Sequence, residues 1–128
     1  MPKARITVFR AVLCLSLVAI TILAVIPLDA SSVSGINDKA SHILAFYFLA
    51  LLVDFSYPET NLNCAKILPL IFYGLSIECV QYCIPYRQFS LWDLAADALG
   101  LLIYGLSVPG LKLIPLLRFR WNLTPIDN

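Results

Sequence analysis

Asp38, Lys39 and His42 fall within one helical turn of each other, Glu78 and Gln81 follow at i and i+3, and Arg87, Asp93 and Asp97 come shortly after. These residue types support three kinds of chemistry. Lys39 and Arg87 can pair with phosphate, while Glu78, Asp93 and Asp97 can hold amine or hydroxyl groups. His42 and Glu78 can move protons as acid and base, and the carboxylates can hold a divalent cation. No nucleophile motif, cofactor motif or metal-ligand spacing accompanies them, so neither a resident metal nor a cofactor is expected.

Helical spacing allows these groups to face one another. Asp38 and His42 stand at i and i+4, as do Asp93 and Asp97; Gly100 and Tyr104 continue the latter face at i+7 and i+11. Gly74, Glu78 and Gln81 fall at i, i+4 and i+7 on another single face. Gly74 and Gly100 are small enough to let neighbouring helices approach closely.

The elements that must position them are membrane spans. The chain has 128 residues, 60% hydrophobic and 13% charged, with mean hydropathy +0.85. Crossing a bilayer core takes roughly 20 helical residues, so four crossings use about 80 and leave no room for a folded aqueous domain. A soluble dinucleotide-binding domain, a kinase or a secreted disulfide scaffold is excluded on that ground. Spans are expected at about 8–28, 39–56, 65–84 and 91–109, with 110–128 as an interfacial tail. The first apolar run, 11–28, exceeds an h-region of about 7–15 residues and ends in Leu28-Asp29-Ala30 without the small residue a signal peptidase needs. A retained span is therefore expected there, with cleavage as the alternative. Pro109-Gly110 reads as the stop of the fourth helix.

Ionisable groups inside such segments cost several kcal/mol by insertion scales, so they imply a bundle interior or a water-filled cavity. Short connections force antiparallel neighbours, giving an all-α, up-down four-helix transmembrane bundle that forms a single domain. With the N-terminus inside, cytoplasmic segments carry Lys3, Arg5, Arg10, Lys66, Lys112, Arg118 and Arg120, against Lys39 and Arg87 opposite. That bias predicts cytoplasmic N- and C-termini. It places Asp38, Lys39, His42, Glu78, Gln81, Arg87, Asp93 and Asp97 in one outer layer, in a polar pocket lined by the last three spans and closed by the first. The segment from Lys112 to Trp121 mixes basic with apolar residues and reads as an interfacial anchor.

Net charge +1 gives no basis for nucleic-acid binding. Cys14, Cys64, Cys79 and Cys83 mostly lie in apolar runs and read as small packing residues. Ser90 or Asp93 can cap the fourth helix. His42, one turn after Asp38, has a structural reading as a hydrogen-bonded histidine. Glu78 is the first choice as a functional residue, since it lies near a helix C-terminus, where the dipole opposes a carboxylate.

The pattern Asn-Asp38-Lys39-Ala-Ser-His42, then Gly74-x3-Glu78-x2-Gln81, Arg87-x2-Ser90-x2-Asp93 and Gly100 resembles the VanZ-like family of small bacterial membrane proteins. The resemblance covers about residues 37–105, and the family usually has Asn where this chain has Asp97. It implies a multi-pass protein of the bacterial cytoplasmic (inner) membrane and cell envelope, with a link to resistance to the glycopeptide teicoplanin. It implies a site at the residues above without assigning their roles.

Three readings follow. The first is a non-catalytic envelope protein that binds a membrane lipid headgroup or a lipid-linked cell-wall or polysaccharide precursor. The second is a structural network that fixes helix register. The third is an intramembrane lipid-modifying enzyme with His42 and Glu78 as catalytic candidates.

Overall fold

In the computed structural model, residues 1–26, 35–86 and 89–121 are described, and every regular element among them is helical. The order is α1 (Lys3–Val25), α2 (Gly35–Ser56), α3 (Cys64–Tyr82), α4 (Leu91–Leu111) and a 3₁₀ turn at Arg118–Arg120. All four α-helices are long and apolar enough to cross a membrane, which makes this a multi-pass membrane protein by length and composition. Arg87 and Gln88 lie outside the described residues.

Local sequence explains where the helices start. The Asn63 side chain accepts from the Lys66 backbone N–H at 3.3 Å and Ser90 Oγ from the Asp93 N–H at 3.3 Å. Each satisfies a donor that the first turn leaves orphaned. Ser90 is thus the cap of α4, leaving Asp93 in its first turn, where the helix dipole favours an acid. Several boundaries differ from expectation, among them the start of α2 at Gly35 and the end of α3 at Tyr82. α1 starts at Lys3, so the basic leader is itself helical. α4 runs through Pro109-Gly110 to Leu111, because proline in a last turn forfeits one hydrogen bond while Lys112 N–H still reaches Val108 O at 3.1 Å.

Contacts fix the up-down order. Arg10 near the start of α1 donates from Nε to Ser56 O at the end of α2, and Lys66 at the start of α3 reaches Asp54 at the end of α2. Glu78 near the end of α3 accepts from Ser90 N–H at the head of α4. Consecutive helices are therefore antiparallel, while α2 and α4 run parallel and form the most extensive contact. α2 occupies the centre, packed on α1, α3 and α4. Gly100 makes the α2–α4 approach possible, since a Cβ there would run into the Ile43 carbonyl oxygen and come within 3.1 Å of Tyr47 N. Between the ends lies an apolar core of Phe46, Leu49, Ala50, Leu52, Leu70 and Leu101.

The tail does more than anchor. Phe119 and Trp121 stack edge-on against the fully buried Phe55 ring, at 5.7 and 5.6 Å between centroids, and Arg120 is 2% exposed. Leu113 and Leu116 are exposed, as an interfacial segment requires, but the Arg118–Arg120 turn closes the bundle end. The four cysteines also depart from the packing role, since all are free and exposed on the bundle's outer faces.

Candidate functional site

Two polar layers interrupt the apolar core, one around His42 and one around Asp54. Twelve residues of α2 separate them, about 18 Å at the helical rise.

The His42 layer is built from one face of α2 and one of α4. Lys39 Nζ donates to Asp93 Oδ1 at 2.8 Å, and His42 Nδ1–H donates to Asp97 Oδ1 at 2.8 Å. His42 Nε2 stands 4.0 Å from Asp93 Oδ2. The i, i+4 acids that would repel each other are thus each met by a group from α2, Lys39 for Asp93 and His42 for Asp97. Exposure is graded: the Lys39 side chain is 43% accessible, Asp93 12% and Asp97 4%, so the cluster opens at the Lys39 end and closes inward. Gly74 of α3 makes room at its floor, because a Cβ there would lie 2.7 Å from Asp97 Oδ2.

Glu78 is fully buried. Its Oε2 accepts from the Ser90 N–H at 2.8 Å, whereas Oε1 has no hydrogen-bond partner among the described residues. The sequence places this carboxylate against the unfavourable end of the α3 dipole; packing sets it against the favourable N-terminal end of α4 instead. It lies within electrostatic range of His42, Asp93, Asp97 and Lys39. Asp38 is half-buried at the mouth, with a carboxylate oxygen no more than 4.8 Å from the nearest donor atoms of His42 and Asp93.

Gln81 does not join this cluster. Its Nε2 donates to Ala24 O at 3.1 Å, and Tyr86 OH donates to Val25 O at 2.7 Å. These carbonyls belong to the last two residues of α1, so the amide of Gln81 serves to pin α1 to α3. Arg87, which the sequence also places in the site, lies outside the described residues. Among the described residues the cluster is largely self-paired, and a cleft of about 110 Å³ lies between α1 and α3, walled by Thr21, Ala24, Tyr73, Ile77 and Val80.

The Asp54 layer was not anticipated. Asp54 is fully buried at the end of α2 and receives Lys66 Nζ at 2.8 Å and Arg120 Nη2 at 2.7 Å on Oδ1, and Tyr104 OH at 3.0 Å on Oδ2. Arg120 also donates to the carbonyls of Pro58 and Thr60, at 3.1 and 2.7 Å, and Lys66 to Thr60 O at 2.6 Å. Counting Lys66 and Arg120 as loop charges hid them. The available signal was Asp54 itself, an acid facing Lys66 across the short α2–α3 link, with Tyr104 on the same α4 face as Asp97. Every charged group here holds an opposite charge and at least one further hydrogen bond, which suits a structural lock.

No protein-family model matches the chain, and no solved structure does. The chain is similar to an uncharacterized protein of the fission yeast Schizosaccharomyces pombe, 34% identical over 68 residues, a stretch that is 51% of this chain and 42% of that protein. The chain thus spans about two fifths of the length of the curated relative it matches.

Proposed function

We propose that this chain is a VanZ-like protein of the bacterial cytoplasmic membrane, with both termini cytoplasmic, that binds the polar headgroup of a membrane lipid or lipid-linked envelope precursor in its His42 layer. The observation that carries this reading is the buried, unpartnered Oε1 of Glu78 beside a charged cluster that opens through Lys39 and Asp38. A network that only fixed helix register would use its carboxylate oxygens internally, as Asp54 does, because an orphaned buried oxygen costs about 1–3 kcal/mol. A ligand amine or hydroxyl satisfies it, and Lys39, partly exposed, offers a cation to a phosphate.

The headgroup chemistry that fits these groups is that of a phospholipid amine or phosphate. Through the VanZ-like resemblance the proposal extends to glycopeptide resistance, in which occupation or presentation of an envelope lipid alters access of the antibiotic. The test is mass spectrometry of lipid copurified with wild type and with Glu78→Gln. One lipid class enriched on the wild type and lost from a folded Glu78→Gln variant supports binding. Bulk-membrane composition on both proteins overturns it, and chemical conversion of the bound lipid favours the enzyme reading.

A further inference from the structure

Donor atoms from α2 and α4 come close together in the His42 layer. One ligand atom from each of Asp38, His42 and Asp93 lies within 4.8 Å of the others. Asp97 takes the Nδ1–H of His42, which leaves the Nε2 lone pair facing Asp93 Oδ2 at 4.0 Å. That gap is too long for a hydrogen bond. It suits two donors that share one ion at bond lengths of about 2.0–2.2 Å. A carboxylate holding the far nitrogen of a histidine is also the arrangement that orients ligating imidazoles in metal proteins.

Glu78 supplies an independent observation. It is fully buried, and its free Oε1 lies beside the head of α4, because Oε2 is held by the N–H of Ser90, the residue that caps Asp93. Its charge faces those of His42, Asp93 and Asp97. Charge balance points the same way. Among the described residues the carboxylates of Asp38, Glu78, Asp93 and Asp97 outnumber the groups that offset them, the Lys39 ammonium on Asp93 and the His42 imidazole on Asp97. Such an excess inside an apolar bundle is costly unless a cation offsets it.

The geometry points to a divalent-cation site formed by Asp38, His42 and Asp93, with the buried Glu78 carboxylate as a nearby negative charge and Asp97 as the positioning residue that fixes the tautomer of His42. Two carboxylates and one imidazole, without a thiolate, form a hard to borderline donor set that suits Mn²⁺ or Zn²⁺ over Cu⁺. The ligands come from α2 and α4, which lie far apart in the sequence. Lys39 Nζ, now on Asp93 Oδ1, swings outward on its half-exposed stem when the ion binds. The inference stands apart from the headgroup reading, since ion binding is measurable without lipid recognition.

The experiment uses the full chain in nanodiscs of zwitterionic lipid, stripped with chelator and titrated with Mn²⁺. About one Mn²⁺ per chain is expected, with ¹⁴N coupling in pulsed electron paramagnetic resonance that disappears in His42→Ala. Asp93→Asn weakens binding at least tenfold, Glu78→Gln weakens it less because it removes a nearby charge and no ligand, and Asp97→Leu weakens it by about 10–100-fold through loss of imidazole orientation. Asp97→Asn keeps an acceptor for Nδ1–H and falls between Asp97→Leu and wild type. Thermal unfolding in the same discs certifies each variant's fold, and the wild-type stoichiometry and nitrogen coupling decide the matter if a variant fails to fold. Folded wild type that holds no Mn²⁺ or Zn²⁺ at millimolar concentration overturns the site. So does bound Mn²⁺ without nitrogen coupling, or with affinity unchanged in a folded Asp93→Asn variant.

Discussion

Replacing Asp54 by alanine strips the acceptor from three buried donors at once. Lys66 and Arg120 are 5% and 2% exposed and share Asp54 Oδ1, while Tyr104, also fully buried, uses Oδ2. Removing one partner of a buried ion pair typically costs about 3–5 kcal/mol, because the remaining charge is stranded. Two cations are stranded here, but the carbonyls of Thr60 and Pro58 stay in place and keep part of their solvation. The expected loss is therefore about 3–5 kcal/mol rather than twice that. Pairing Asp54→Ala with Arg120→Met removes one stranded charge, so the double variant should be more stable than additivity predicts by about 1–3 kcal/mol. Equilibrium unfolding in mild detergent, followed by circular dichroism and by the emission of Trp121 against Phe55, measures both quantities. A loss below about 1 kcal/mol, of the size expected for an exposed pair, with unchanged Trp121 emission would refute the reasoning.

Gly100→Ala drives a methyl into the Ile43 carbonyl and should destabilise the α2–α4 contact by about 1–3 kcal/mol, while Gly110→Ala, with nothing within 4 Å, should be nearly neutral; equal melting temperatures for the two would contradict the close approach. Asp97→Asn should keep the His42 bond and leave thermal stability equal or higher, whereas Asp93→Asn should lower stability modestly by weakening the half-exposed Lys39 pair, by no more than about 1 kcal/mol. The reverse order in calorimetry would remove the distinction between these acids. For topology, cysteines introduced at positions 34 and 88 of a chain lacking its native cysteines should react with an impermeant thiol reagent from outside the cell; labelling at the termini instead would invert the orientation.

Helix number, order and approximate ends were legible in the sequence because hydropathy and length decide them, as were the faces on which Asp38, His42, Asp93 and Asp97 meet. Periodicity says which residues share a helix face but not which neighbour that face meets. Gln81 shares a face with Glu78 yet reaches α1, because the carbonyl of Ala24 at the end of α1 lies there. Tyr104 shares a face with Asp97 yet serves Asp54 at the opposite end. Arg120 was counted as a loop charge, since a basic residue in an apolar tail looks the same whether it lies on a membrane surface or folds back under the bundle. The partner that draws it in, Asp54, is 66 residues away in sequence.

That long-range pairing has a consequence for biogenesis. A growing chain delivers α2 and α3 to the membrane, with Asp54 and Lys66, well before Arg120 leaves the ribosome, and Tyr104 also precedes it. Until residue 120 arrives, the carbonyls of Pro58 and Thr60 and one side of Asp54 lack their guanidinium, and Phe55 lacks the rings of Phe119 and Trp121. Insertion and final closure are thus separate events, with closure triggered by a short segment after the last span. An expression tag joined close behind Trp121 therefore sits beside the piece that completes the bundle, and so does a tag ahead of α1, since the Arg5 guanidinium lies 4.9 Å from the centre of the Phe119 ring.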